Sequence, residues 1–237
     1  RLVRLPDVEF VAHLWDHPKV PRGQPLPVLA HYADAAHTDV PMPAPWAWDV
    51  KKHAFPQPHT QLQRGVCARD WRQRDRTLYF RGGCNGPTRG WRGPIWRFYP
   101  RKRANALTKA AAADGGPAVD AGVYDHCDSP KLTKAEWGWD AEMEKEMWAD
   151  APKRKIEPFG NNCRHRHLLH VDGNAASSRL ASELHTGSTV FKAASASTEY
   201  FYPLLREWEH YVPVAANLAD ARARHAWALA HPRRAEA

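Results

Sequence analysis

The chain contains no run of about 18 apolar residues, so no segment is long enough to cross a bilayer as a helix. It has only four cysteines in 237 residues, at 67, 84, 127 and 163, and no C-x-x-C pair. That spacing sets aside a structural zinc knuckle. An even number of cysteines permits disulfides, but the spacing does not say which would form. Asp-x-Asp occurs nowhere. A metal-dependent nucleotide-sugar site built on paired carboxylates is therefore not indicated. The opening residues Arg1 to Pro6 show neither an initiator methionine nor a signal-peptide core, and the chain reads as an internal piece of a longer protein. There is no internal repeat and no long low-complexity tract.

Positive charge is in excess: 34 Lys and Arg against 26 Asp and Glu, a formal net charge of +8. Such a surface favours phosphate-bearing partners. The basic residues are scattered, apart from Arg101-Lys102-Arg103, Lys153-Arg154-Lys155 and Arg233-Arg234. A nucleic-acid module would show a denser stripe or a recognisable motif. A nucleic-acid-binding reading thus rests on charge alone, and no nucleic-acid partner is expected. Among the 14 histidines, His165, His167 and His170 invite a metal reading. In a strand, 165 and 167 share one face and 170 lies on the other, so polar strand and surface roles fit better and no metal is expected. The 43% hydrophobic content suffices for a core, and 11 Trp suit packing or stacking.

Hydrophobic runs and breakers predict strands over 8–14, 28–32, 77–83, 119–124, 187–192 and 210–214, and one more in the apolar run from His167 that ends at Asp172-Gly173. Helices are predicted over 102–113, 131–149, 175–185 and 217–230, with a short helix over 198–206 broken at Pro203. Residues 38–60, rich in Pro and Trp, read as irregular structure. Strands alternating with helices predict an α/β fold with parallel sheets, in which ligands sit beyond the carboxyl ends of the strands.

The segment His167 to Leu180 is the most telling. An apolar run ends at Asp172-Gly173, small polar residues follow, and a helical pattern containing Arg179 begins. A strand that breaks at glycine and restarts as a helix aims backbone N–H groups at one spot, and a nearby arginine fork suits phosphate. Gly173, Asn174 and Ala175 would allow close backbone approach to a nucleotide. A second such loop follows Thr77 to Gly83 and contains Arg89. Arg81 reads as structural as readily as phosphate-binding.

Taken in order, several motifs resemble glycosyltransferase family 90, which includes protein O-glucosyltransferases of the Rumi type and fungal capsule-associated xylosyltransferases. They are Pro6-Asp7-Val8-Glu9-Phe10, Trp15-Asp16-His17-Pro18-Lys19-Val20-Pro21, Tyr79-Phe80-Arg81-Gly82, His170-Val171-Asp172-Gly173 with Ala176-Ser177-Ser178-Arg179, Gly187-Ser188-Thr189-Val190, and Glu199-Tyr200-Phe201-Tyr202-Pro203-Leu204-Leu205 leading to His210-Tyr211-Val212-Pro213-Val214. They span about residues 6 to 215.

The resemblance implies a GT-B-like architecture of two Rossmann-like lobes with the donor site in the cleft, apparently truncated at both ends. Residues 1–72 would form an incomplete acceptor-side lobe, 73–215 the UDP-sugar-binding lobe and 216–237 a C-terminal helix. It implies inverting, metal-independent transfer of glucose or xylose from a UDP-sugar to a hydroxyl of a protein or glycan. The UDP-sugar would be a co-substrate, with no further cofactor. Asp16 would be the base that takes the hydroxyl proton. Arg179 and Arg89 would hold the diphosphate, with Gly83, Gly173, Asn174 and Ala175 lining the donor site. Trp15, Trp46 and Trp48 could line the acceptor cleft, their plainer role being core packing. The secretory-pathway lumen, endoplasmic reticulum or Golgi, is implied as the compartment.

The chain departs from animal members, which pair a cysteine at the position of Cys163 with one at the position of Thr186. That disulfide cannot form here, leaving Cys163 free or paired with Cys127 or another cysteine. A catalytically inactive relative that binds a glycan or protein is the alternative reading.

Overall fold

In a computed structural model the described residues are 7–15, 17–24, 26–43, 67, 69–83, 100–124, 145, 149, 154–155 and 157–236. Two parallel sheets organise them. The smaller contains β1 (Val11–Ala12), β2 (Val28–Ala30) and β3 (Val40–Pro41), in the order β1-β2-β3. The larger contains β4 (Asp75–Gly82), β5 (Val119–Val123), β6 (His165–His170), β7 (Thr189–Ala193) and β8 (Val212–Val214). Its order is β5-β4-β6-β7-β8, all neighbours parallel. The predicted α/β class and parallel pairing are therefore observed.

The larger sheet has one apolar face and one polar face. In register across it stand Leu78 beside Val119 and His167, Phe80 beside Ala121, and Leu169 beside Phe191, which faces Val212. These side chains form one continuous core with the alanines of helices α1 (Pro100–Asp114) and α3 (Ala221–Ala230). Helix α1 starts on proline, whose missing N–H costs nothing at a first helical position. Its run Ala110 to Ala113 has high intrinsic helicity, and Gly115 at φ +64° ends it. The opposite face carries Tyr79, Arg81, Leu168, His170, Val190 and Lys192. There the short helix α2 (Arg179–Leu184) packs, burying Leu180 and Glu183. A last helical turn, α4 (Pro232–Ala235), follows α3.

Helix α1 links β4 to β5 on one side, and α2 links β6 to β7 on the other. The strand order therefore reverses between β4 and β6. In a doubly wound sheet that reversal opens a crevice beyond the carboxyl ends of the two strands. Here those ends are Gly82-Gly83 and His170–Asp172.

Several boundaries differ from the sequence reading. The strand expected over 8–14 shrinks to Val11–Ala12, which pairs on one side only. The helix expected over 175–185 begins at Arg179, because the Asp172 carboxylate takes the Ser177 N–H at 2.7 Å and holds the preceding residues as a turn. The helix expected over 198–206 is one 3-10 turn, Tyr202–Leu204, since Pro203 has no N–H to continue a ladder. The C-terminal helix starts at Ala221, not 217. Of the helix expected over 131–149 only residues 145 and 149 are described, both helical.

Cys163 is bonded to Cys67, a sequence separation of 96 residues. Of the alternatives left open for Cys163, pairing with another cysteine is the one that holds, while freedom and the Cys127 pairing do not. The bond ties the segment before β4 to the 3-10 turn Phe159–Arg164 that leads into β6. Closing so long a loop removes unfolded-chain entropy worth about 2–4 kcal/mol.

Among the described residues the extension of β2 meets the β7–β8 connection at an antiparallel bridge, Ala33 with Thr198, through two backbone hydrogen bonds of 3.0 and 2.8 Å. Tyr32 packs there on Ala175, Ala176 and Tyr202. No helix among the described residues is long and apolar enough to cross a membrane.

Candidate active site

An open cleft of about 150 Å³ lies beyond the reversal point, lined by Tyr32, Arg101 and residues 173–178. Its floor is the turn that the sequence singled out. Gly173 and Ala175 close it with a backbone hydrogen bond of 3.2 Å, and Asp172 anchors it through Ser177. Gly173, Asn174 and Ala175 therefore line this cleft. Helix α2 is only six residues long and Ser178 makes no side-chain cap, so its dipole is weak and the cleft's positive character comes from side chains.

Arg179 supplies one guanidinium. It lies against the end of β4, with Nη1 donating to the Arg81 carbonyl, Nε donating to Ser177 Oγ at 3.2 Å, and Cζ 5.3 Å from the centre of the Phe80 ring. Its Nη2 is buried without a hydrogen-bond partner among the described residues. Gly82 makes room for it: a Cβ there would stand 2.8 Å from the Phe80 ring and 3.5 Å from Arg179 Nη1. The second guanidinium is Arg101, 7% exposed, at the start of α1. Its Nη1 donates to the Gly83 carbonyl at 3.0 Å and its Nε to the Asp172 carbonyl at 3.1 Å, so it bridges the two strands where their order reverses. Burial, and then the charge of Arg179, push it down to about 9. Two guanidiniums at one crevice disfavour each other, and an anion would relieve both.

Behind the turn lies a buried charge relay. His170 Nδ1 meets Glu183 Oε2 at 2.6 Å and its Nε2 meets Asp172 Oδ1 at 3.2 Å. Burial opposes the imidazolium, but the two carboxylates outweigh it and raise the His170 pKa. The same contacts keep Asp172 and Glu183 ionised despite their burial. His170 thus fixes both the turn, through Asp172, and the helix after it, through Glu183.

The other candidates divide. Gly83 is present through its carbonyl. Arg81 is structural, paired with Asp120 at 2.7 Å and Glu157 at 2.9 Å. Trp15 is 61% exposed with Lys19 Nζ 4.4 Å from its ring centre, and it does not line this cleft. Asp16, Arg89, Trp46 and Trp48 lie outside the described residues. The described residues 19 and 20 are anchored by a buried carboxylate. Buried Asp39 takes the N–H groups of Lys19 at 3.0 Å and Val20 at 2.8 Å, and meets His13 Nε2 at 2.8 Å. Burial opposes its charge, but these bonds hold its pKa below the usual value.

Sequence reasoning missed Arg101, Asp39 and Glu183, and left the partner of Cys163 open. Arg101 was visible only as part of a basic triplet. No group of three or more His, Cys, Asp or Glu able to hold a metal occurs among the described residues.

Residues 173–178 of the cleft lining sit in a part of the chain with a family signature, while Tyr32 and Arg101 lie outside it. Residues 128–237, which contain β6, the turn, Arg179 and everything after, match the model of glycosyl transferase family 90. The resemblance drawn from the motifs is thereby borne out. Among individual proteins, the chain is 27% identical to protein O-glucosyltransferase 1 of Rattus norvegicus over 92% of its length. It is 27% identical to protein O-glucosyltransferase 3 of Homo sapiens over 96%, and 24% identical to O-glucosyltransferase rumi of Drosophila pseudoobscura pseudoobscura over 89%. The chain covers 52%, 40% and 47% of these three, so it spans about half the length of the curated relatives it matches.

Proposed function

We propose that this chain is the donor-binding part, and part of the acceptor side, of an O-glycosyltransferase that moves glucose or xylose from a UDP-sugar to a hydroxyl of a protein or glycan. The observation that carries the reading is the pair of guanidiniums at the strand-order reversal. Arg179 has an orphaned buried Nη2, and Arg101 is destabilised by burial and by Arg179. A diphosphate placed between them and the 173–178 turn would satisfy both. Its departing charge would be met by guanidiniums in place of a metal, which is half of the chemistry of this transfer.

The other half is proton removal. In an inverting displacement the acceptor oxygen attacks the anomeric carbon as the bond to UDP breaks, and a carboxylate takes the hydroxyl proton. By its place in the family motif that base is Asp16, on the loop whose exit Asp39 holds. The parallel small sheet, leaning on the larger one beside the cleft, supports a two-lobed GT-B-like arrangement with donor and acceptor on opposite walls. The relatives' names favour glucose and protein acceptors, and secretory-pathway residence goes with that reading.

The test is UDP binding by calorimetry in the presence of EDTA. Wild type should bind. Arg179→Ala should lose at least about 10-fold in affinity, since a hydrogen bond to a charged group contributes about 1.5–3 kcal/mol, and Arg101→Ala should lose a similar amount. A folded wild-type chain that binds no UDP would overturn the proposal and favour a relative that keeps the fold without the donor site.

A further inference from the structure

His170, at the end of β6, is 1% exposed and stands between two buried carboxylates, with Glu183 2.6 Å from Nδ1 and Asp172 3.2 Å from Nε2. An ionised carboxylate only accepts hydrogen bonds, and a neutral imidazole has a single N–H to give. Both contacts are satisfied together only by the imidazolium, which donates from both ring nitrogens. His167 and His225 differ in this respect, since they face each other and the Arg76 carbonyl.

Each carboxylate leads on to the guanidiniums of the cleft. Asp172 Oδ1 accepts the Ser177 N–H at 2.7 Å, and Ser177 Oγ accepts from Arg179 Nε at 3.2 Å. The Asp172 carbonyl accepts from Arg101 Nε at 3.1 Å. Glu183 lies one turn beyond Arg179 on α2. One proton on His170 therefore ties the 173–178 turn, the helix and both cations into a single unit. Other charges face this group from several elements. Glu199 faces His170 from the connection between β7 and β8, and Arg179 faces Glu183. Arg101 of α1 faces both carboxylates, Lys192 of β7 faces Asp172, and so does the Tyr202 hydroxyl.

Resting on the donor-site reading above, we propose that His170 is a positioning residue for the nucleotide diphosphate: its imidazolium locks the 173–178 turn to α2, and donor affinity depends on that proton. When the proton leaves, one ring nitrogen turns a lone pair toward a carboxylate, and the turn and the helix come apart. Affinity is complete while His170 is charged. It falls as pH rises past the His170 pKa, which the two carboxylates hold above the ordinary 6.5.

The experiment combines 15N-histidine spectra of the wild type with UDP affinities of wild type, His170→Gln and His170→Gln/Glu183→Gln between pH 5.5 and 8, alongside thermal midpoints. One wild-type imidazole should stay doubly protonated at pH 8, and its signal should be missing from the double variant. At pH 8 His170→Gln should bind UDP about 10-fold more weakly than wild type, because two buried carboxylates are left without their cation. A buried carboxylate without a counter-charge holds a proton more readily, so acid should narrow that ratio to about 3-fold at pH 5.5. Taking the ratio cancels the titration of UDP itself. The double variant carries one buried charge fewer. It should fold and recover most of the affinity at pH 8, even where the single variant does not fold. A histidine that only fills space would give a ratio independent of pH and no rescue by Glu183→Gln. Either that result, or wild type that binds UDP with every imidazole neutral at pH 8, overturns the clamp and leaves the donor site standing. Wild type that binds no UDP overturns the donor site and, with it, the role of His170 there.

Discussion

The two sheets of this molecule are stabilised in different ways. In β7 all five residues are buried, and Leu78, Phe80, Leu169 and Phe191 interlock beneath α1 and α3. In the small sheet both residues of β1 are exposed and Val40 of β3 is 51% exposed, so only β2 and its extension to Ala33 reach the interior. Hydrophobic burial organises the first, and a polar clamp at Asp39 with a single bridge to Thr198 organises the second. The wall that would hold a diphosphate is therefore built on the rigid element. Elements with little buried apolar surface open first, and β1 and β3 belong to that class.

The largest predicted effect breaks the stronger partner. Phe191 is fully buried at the centre of the core. Phe191→Ala removes the ring and leaves a cavity, at a cost of about 3–5 kcal/mol. Urea unfolding followed by tryptophan fluorescence would measure it. A loss under about 1 kcal/mol would mean that the core is not where the chain's stability resides.

How much of this was legible in the sequence follows the same division. Strands β4, β6 and β7 announce themselves as apolar runs ending in Gly or small polar residues, and α1 by its alanines. The turn after β6 and Arg179 were legible because local chemistry makes them. Arg101 was not, because its role comes from the reversal of strand order, which brings Gly83 and Asp172 together and leaves no periodic trace. Asp39 reaches 19 and 20 residues back along the chain to bond Val20 and Lys19. The start of α2 was misplaced by four residues, since the expected helix ignored the competing hold of Asp172 on Ser177. Cysteine pairing is likewise a property of the packed fold: Cys67 and Cys163 meet because β4 and β6 are neighbours.

Acid should separate the two sheets further. His167 and His225 face each other across β6 and α3, with Nδ1 of the first 3.1 Å from Nε2 of the second. Burial, then the charge of His225, push His167 down to about 3, and burial also lowers His225. The charged groups facing them, Arg76 and Arg166, are positive and give a second proton no help. Both pKa values lie below the unfolded value near 6.5, so the native state binds fewer protons. Their contribution is complete above about pH 6.5 and is lost as pH falls, for His167 down through about 3. The slope is about 1.4 kcal/mol per pH unit for each histidine. Asp39, whose carboxyl is held below the usual value by its hydrogen bonds, keeps its charge further into acid than an ordinary carboxylate. Urea unfolding between pH 4.5 and 7.5 should therefore show stability declining with acid, and His167→Leu should flatten the decline by about one histidine's share. An unchanged slope in that variant would remove the pair as its source.

The smallest predicted effect concerns the weaker partner and is the most pointed use of the comparison. Val40 stands on an edge strand with half its surface already in water, so Val40→Ala sacrifices little buried area and leaves no cavity. The expected loss is within about 0.5 kcal/mol, the range of ordinary surface substitutions. Val212 on β8 offers the matched control, because it too is a valine on an edge strand but is only 5% exposed and packs on Phe191. Its truncation should cost several times more. Run side by side in urea, the two variants hold residue type and edge position fixed and change only burial. If Val40→Ala costs as much as Val212→Ala, the face of β3 is covered in solution, and the small sheet is packed as firmly as the large one.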